Sequence, residues 1–286
     1  MADADEGLMA GAPNVSLTLS NQPENVLLVR EALSGMAETV GVDGVELNDI
    51  RTAVTEACNN VVLHAYEGAE GLLQVELYVA PESVEVVVRD EGTGIKPHIR
   101  SDEEDALGIG LSIIQALAPR VEFKDVPGGG TEVRMEFSTP HTQSLGAPIR
   151  DGFEAPAVEP SELATTTGVA LAPSELAKKV LPRVMCVLAA RARFTTDRIA
   201  DAEMLADALV SRGFDSSVRQ HLSVSVSVGT RVVELRLGPL GSGGAGRLIS
   251  DSDAGIAPVI EKLTNERRIA NDGAFETLEL TLRDER

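Results

Sequence analysis

The sequence predicts an α+β fold: a two-layer sandwich of one mixed sheet with helices on one face, present twice along the chain. Three observations carry this. Segments that alternate apolar and polar residues, as half-buried strands do, are interleaved with segments of helical period. The order of these segments in the first half is echoed in the second. Between them, residues 139–164 show no period and carry Pro140, Pro148, Pro156 and Pro160 among scattered Ser, Thr and Gly, the composition of a linker.

Taken in order, "NVSLTLS" places Val15, Leu17 and Leu19 on one face of a strand. "ENVLLVREALSGMAETVG" has helical period and stops at a glycine, and a second helix is expected from Val45 through Tyr66. "LLQVELYVA" and "VEVVVRDEG", joined by "PES", read as a hairpin. A polar loop, "KPHIRSDEEDA", precedes the helix "LSIIQALAP", and "VEFKDV" and "TEVRMEF" close the unit around "PGGG". Past the linker, "GVALAPSELAKKVLPRVMCVLAARA" echoes the first strand and helix, "LSVSVSVGTRVVELRL" the hairpin and "FETLELTL" the last strand. The expected organisation is a disordered segment 1–13, a first domain 14–138, the linker 139–164, and a diverged second copy 165–286.

The 286 residues, 43% of them hydrophobic, suffice for two real cores, and with 3% aromatics and no Trp those cores are aliphatic. A net charge of −20 argues against non-specific binding to nucleic acid or anionic membranes but leaves room for a local nucleotide site. Cys58 and Cys186 sit in apolar helical patterns and form no metal-binding spacing, so both are expected to be reduced core residues. The absence of a signal-like start and of an apolar run near the ~20 residues that span a bilayer predicts a cytoplasmic protein without membrane contact.

Four short segments carry chemistry. In "VTEACNNVVLHAY", Leu47, Ile50, Val54, Cys58, Val61 and Ala65 form the apolar stripe of a helix. Glu56, Asn60 and His64, at steps of four and so ~40° apart, form a separate polar row. One acid and one amide are not the Lys/Glu mixture of a solvated face. "RDEGTGI" ends a strand on Asp90, with Gly92 and Gly94 allowing close approach of backbone to a ligand. "LGIGLSIIQALA" leads from Gly108 and Gly110 into a helix, whose bared N–H groups suit an anion. "GGGTEV" sets Thr131 at the start of a strand.

Together these segments resemble the Bergerat-fold (GHKL) ATP-binding domain shared by histidine kinases and gyrases, over about Val15 to Ser138. "EACNNVVLHAY" is most similar to the small bacterial serine/threonine kinases that act as anti-sigma factors in stress and sporulation switches. The resemblance implies ATP and Mg²⁺ as cofactors, with Asn60 giving its side-chain oxygen to the metal and Glu56 acting as catalytic base or orienting the incoming hydroxyl. It implies that Asp90 accepts from the adenine amino group, that Thr131 joins through water, and that Gly92 and Gly94 lie against the base. Gly108 and Gly110 would bring N–H groups to the phosphates, while His64 packs beneath the lid or touches ligand. The implied partners are an antagonist protein as phosphoacceptor and a sigma factor, with no direct nucleic acid.

The lid stretch departs from the pattern. Asp102, Glu103, Glu104 and Asp105 stand where relatives place a basic residue, which predicts slow phosphoryl transfer unless Lys96 or Arg100 substitutes.

In the second copy "GSGGAG", Gly241–Gly246, fits a dinucleotide loop, but "RLISDSDAG" after it predicts no helix there. Leu237 or Gly238 is expected at the place of Asp90, and Glu203, Asp207 and Ser211 at that of the polar row, without an amide. This copy should not bind MgATP and would serve as the second member of an intramolecular pseudo-dimer, or the protein would form a homodimer. Two rival readings are a nucleotide-gated binding module with little kinase activity and a scaffold that binds no nucleotide.

Overall fold

The structure, a computed structural model, describes residues 11–94, 104–140, 142, 145, 156, 158, 159, 161–218, 221–250, 256–271 and 273–285, without the side chains of 104–108. The expected disorder of 1–10, the lid residues Lys96, Arg100, Asp102 and Glu103, and much of the linker lie outside the described residues.

The first half runs β1 (Val15–Ser20), α1 (Asn25–Val40), α2 (Gly44–Asn60), a π-turn (Val61–Ala65), β2 (Leu72–Ala80), β3 (Ser83–Asp90), α3 (Glu104–Leu117), β4 (Arg120–Asp125) and β5 (Thr131–Ser138). The second runs β6 (Thr166–Leu171), α4 (Ser174–Arg191), α5 (Thr196–Ser216), β7 (Leu222–Gly229), β8 (Val232–Leu240), α6 (Gly244–Ser250), α7 (Ala257–Leu263), β9 (Glu266–Asn271) and β10 (Glu276–Arg283). The α+β sandwich is as expected, with two differences in its sheet. There is one ten-stranded sheet, in the order β4-β5-β3-β2-β1-β6-β7-β8-β10-β9, rather than one sheet per half. Every neighbouring pair in it is antiparallel, so it is not mixed. β3 and β4 lie on either side of β5 and so run parallel, as do β8 and β9 about β10, so the α3 and α6–α7 segments are crossover connections that skip one strand.

The seam between the halves is the β1–β6 pair, in which Leu17 lies opposite Val169. Read outward from there, the strand order is the same in both directions. Counting both segments forward from Leu17 and Val169 without a gap sets Gly41 (φ 82°) against Arg193 (φ 59°). It also sets Asp43, the N-cap of α2, against Thr195, the N-cap of α5. The buried stripe Ile50, Ala53, Val54, Ala57, Cys58 then falls on Ala202, Leu205, Ala206, Leu209, Val210, all buried. Antiparallel pairing about equivalent residues is the geometry of an isologous dimer contact.

Behind this seam α1 packs on α4. Leu28, Val29, Leu33 and Met36 join Leu181, Val184, Met185 and Leu188 in a single apolar cluster that runs through both halves. A full Leu or Met burial is worth ~1.5–3 kcal/mol, so these contacts outweigh the half-exposed ion pairs Lys179–Glu38 (2.6 Å) and Arg183–Glu38 (2.6 Å) along the rim. β1 and β6 are buried on both faces. Among the described linker residues, Pro156 and Val158 lie against β6: a side chain at Gly168 would meet the Pro156 carbonyl at 3.1 Å. Cys58 is buried, its thiol pushed up to about 12 by desolvation, whereas Cys186 is only half-buried on α4 rather than in the core. No helix among the described residues is long and apolar enough to cross a membrane.

Candidate functional site

Asp43 begins α2 with a capping box: its carboxylate accepts from the Val45 and Glu46 N–H groups at 2.8 Å, and Glu46 reaches back. That start fixes the helix phase. The apolar stripe is sunk in the core, and Glu56 and Asn60 are left half-buried on the adjoining face. α3 packs across this face. A Cβ at Gly110 would stand 3.3 Å from Glu56 Oε2 and 3.5 Å from Asn60 Oδ1, so the structure brings these three residues together.

Two expectations are corrected here. α3 is already helical at Glu104, ahead of Leu111, so Gly108 and Gly110 lie inside the helix rather than ahead of it. The helix expected to continue to Tyr66 instead widens into a π-turn directly after Asn60, with half-buried His64 inside it, so the even row does not continue to His64. π-turns inside helices often mark functional sites. This one coincides with a docking contact, because the Ala65 carbonyl accepts the Thr93 N–H at 2.9 Å.

Asp90 ends β3 and is buried. One carboxylate oxygen accepts the Gly92 N–H at 2.8 Å, and the carboxylate also accepts from the N–H and hydroxyl of Thr131. Thr131 stands next to Asp90 because β5 begins beside the end of β3. Burial raises the Asp90 pKa above the ordinary aspartate value, partly opposed by these donors. Gly92 is pressed on the Ala65 carbonyl, which a Cβ would meet at 2.1 Å. Gly130, at φ 98°, is pressed on the Asp90 carbonyl, which a Cβ would meet at 2.0 Å. In the "PGGG" turn that leads into Thr131, Gly130 is the residue that lets the turn close on Asp90. Gly94 lies at the same edge, near Gly130 and Asp125.

The second half lacks each part. In the count from the seam, Ala208 takes the place of Glu56, Arg212 that of Asn60 and Ser216 that of His64; Glu203, Asp207 and Ser211 are not the counterparts. Val75 pairs Val88 as Val224 pairs Leu237, so Pro239, not Leu237 or Gly238, matches Asp90. Glu276 falls where Thr131 stands. A helix does follow "GSGGAG", since α6 begins at Gly244. Its free N–H groups are already taken: Glu276 accepts from Gly243 at 2.7 Å and Ala245 at 3.0 Å.

A sequence profile of the histidine kinase-like ATPase domain matches residues 19–137. Serine-protein kinase RsbW of Bacillus subtilis is 32% identical over 130 residues, 41% of this chain and 81% of that protein. The chain belongs to the anti-sigma-factor kinase family. RsbW of Listeria innocua is 36% identical over 122 residues, 38% of this chain and 78% of that protein. Anti-sigma F factor of Caldanaerobacter subterraneus subsp. tengcongensis is 29% identical over 129 residues, 42% of this chain and 90% of that protein. These similarities to the anti-sigma-factor kinase family span about 40% of the chain.

Proposed function

We propose that the first half binds MgATP and transfers its terminal phosphoryl group to a serine or threonine hydroxyl of an antagonist protein, and that the molecule also binds a sigma factor. We further infer that residues 14–138 and 165–286, joined by the linker 139–164, are two copies of one unit. The second, with Arg212 and Pro239 at the key positions, stands as a fused partner without nucleotide.

The observation that carries this reading is the pair of clusters on one unit: Glu56 and Asn60 under Gly110, and Asp90 with Thr131 under Gly130. The donor set fits the ligand. Asn60 offers a neutral hard oxygen of the kind Mg²⁺ takes alongside phosphate and water, and Gly110 leaves space above it that a larger residue would fill. Bound there, Mg²⁺ would supply charge neutralisation to the phosphates. Asp90 holds an anionic acceptor for an amino group. Glu56 takes the proton from the incoming hydroxyl.

Glu56→Ala is expected to retain MgATP binding within about threefold and to lower phosphoryl transfer by ~10²–10⁴-fold. Incubation with labelled ATP and candidate antagonist proteins reads this. The acidic stretch Asp102–Asp105 favours a second reading, a nucleotide-gated binding protein with little turnover; wild-type protein that binds nucleotide and partner yet transfers no label would establish it.

The pH dependence follows from Asp90. Because burial raises its pKa, its charge burdens the fold above that range, and protonation as pH falls removes the burden rather than a bond. Nucleotide uptake has the opposite sign. A protonated carboxyl keeps only part of its acceptor capacity, which the Gly92 and Thr131 donors already use, so affinity for the base's amino group declines on acidification, starting at a higher pH than for an ordinary aspartate. Parallel titrations of ATP affinity and unfolding midpoint from neutral to acidic pH should separate the two trends.

A further inference from the structure

We propose that Tyr66 is a positioning residue for Asp90, an inference that rests on the nucleotide reading of this site. The chain leaving Asp90 is held at three successive N–H groups. Glu91 N–H donates to the Tyr66 hydroxyl at 2.8 Å, Gly92 N–H to the Asp90 carboxylate at 2.8 Å, and Thr93 N–H to the Ala65 carbonyl at 2.9 Å. The Tyr66 hydroxyl in turn donates to the Leu72 carbonyl at 2.6 Å. Its ring lies flat against Gly71, where a Cβ would fall 2.1 Å from the ring edge. One side chain at the end of the π-turn therefore ties the helix that carries Asn60 to the start of β2 and to the peptide following Asp90.

The second half provides an internal control. There the Gly241 N–H donates to the Ser216 carbonyl at 2.9 Å, Ser217 bridges Leu240, and the Ser217 hydroxyl donates to the His221 carbonyl just ahead of β7. The count from the seam places Val218 where Tyr66 stands, with no hydroxyl to offer. The tie from the helix end to the next strand is thus made by a hydroxyl in both halves, and what the phenol adds in the half with the buried aspartate is an acceptor for the Glu91 N–H. With the Glu91 N–H released, the peptide after Asp90 loses the hydrogen bond that fixes its tilt and is bounded only by Gly130 and the Thr93 tether. The Gly92 N–H that orients the carboxylate then moves with it.

The role predicts a loss restricted to recognition of the base. In wild-type protein, ATP is expected to bind at least about tenfold more tightly than inosine triphosphate, whose carbonyl replaces the amino group facing Asp90. Tyr66→Phe is expected to weaken ATP about three- to tenfold, to leave inosine triphosphate unchanged, and to keep the ligand-free unfolding midpoint. Calorimetric titration of both nucleotides with Mg²⁺, on wild type and variant, reads this. An equal loss for both nucleotides, or no loss for ATP, overturns the positioning role while leaving the nucleotide site standing. Wild-type protein that takes up neither nucleotide overturns the site reading and this inference together.

Discussion

Asp90→Asn is expected to lower MgATP affinity by at least about a hundredfold while moving the unfolding midpoint little. Three donors already converge on this side chain: the Gly92 N–H, the Thr131 N–H and the Thr131 hydroxyl. A carboxylate accepts from all of them and keeps a lone pair for the amino group of a base. An amide offers one acceptor oxygen, and its NH₂ must face either those donors or the ligand. Either choice leaves buried donors unpaired, the situation in which polar sites discriminate most strongly. Stability is less affected because the change also removes a charge whose burial is unfavourable, so the net change is within about 1 kcal/mol. Calorimetry gives the first quantity and thermal unfolding the second.

Gly35→Val is expected to destabilise the whole chain by about 3 kcal/mol. Gly35 is where α1 crosses α4, and a Cβ there would lie 2.7 Å from the Lys179 carbonyl oxygen and 3.0 Å from the Val180 Cα. Those are backbone atoms of a buried helix and cannot swing aside. The helices must separate, which strips contacts from Leu33, Met36 and Val180 in the shared core. Since β1 pairs with β6 directly beneath, the loss falls on both halves. Denaturant unfolding should remain a single transition with a lower midpoint. A variant in which the halves unfold in two separate steps, starting from a wild type that also does so, would show that the seam does not join them.

Local pattern made much of this fold legible. Alternation in "LLQVELYVA" and "TEVRMEF" and the glycines at residues 41 and 128–130 mark strands and turns through forces that act within a few residues. The polar row Glu56–Asn60 was legible because it lies out of phase with its own apolar stripe. What the pattern could not reveal depends on contacts distant in sequence. Nothing in "VSLTLS" or "TTGVAL" states that these two strands pair with each other rather than forming two sheet edges. The π-turn arises where Ala65 meets Thr93, which helical period cannot anticipate. In the second half the acids Glu203 and Asp207 mimic the first half's row by type, whereas burial sets the phase one residue later, on Ala208 and Arg212. Glu276 hides for a related reason: its role is set by the Gly243 and Ala245 N–H groups, 33 and 31 residues away.

The central claim is that one half of this chain holds a nucleotide and the other has exchanged that capacity for a fixed place beside it. Calorimetric titration of the intact protein with ATP and Mg²⁺ tests it most directly. The predicted result is one site per chain, dependent on the metal and lost with Asp90→Asn. Two sites per chain, or none, would contradict it.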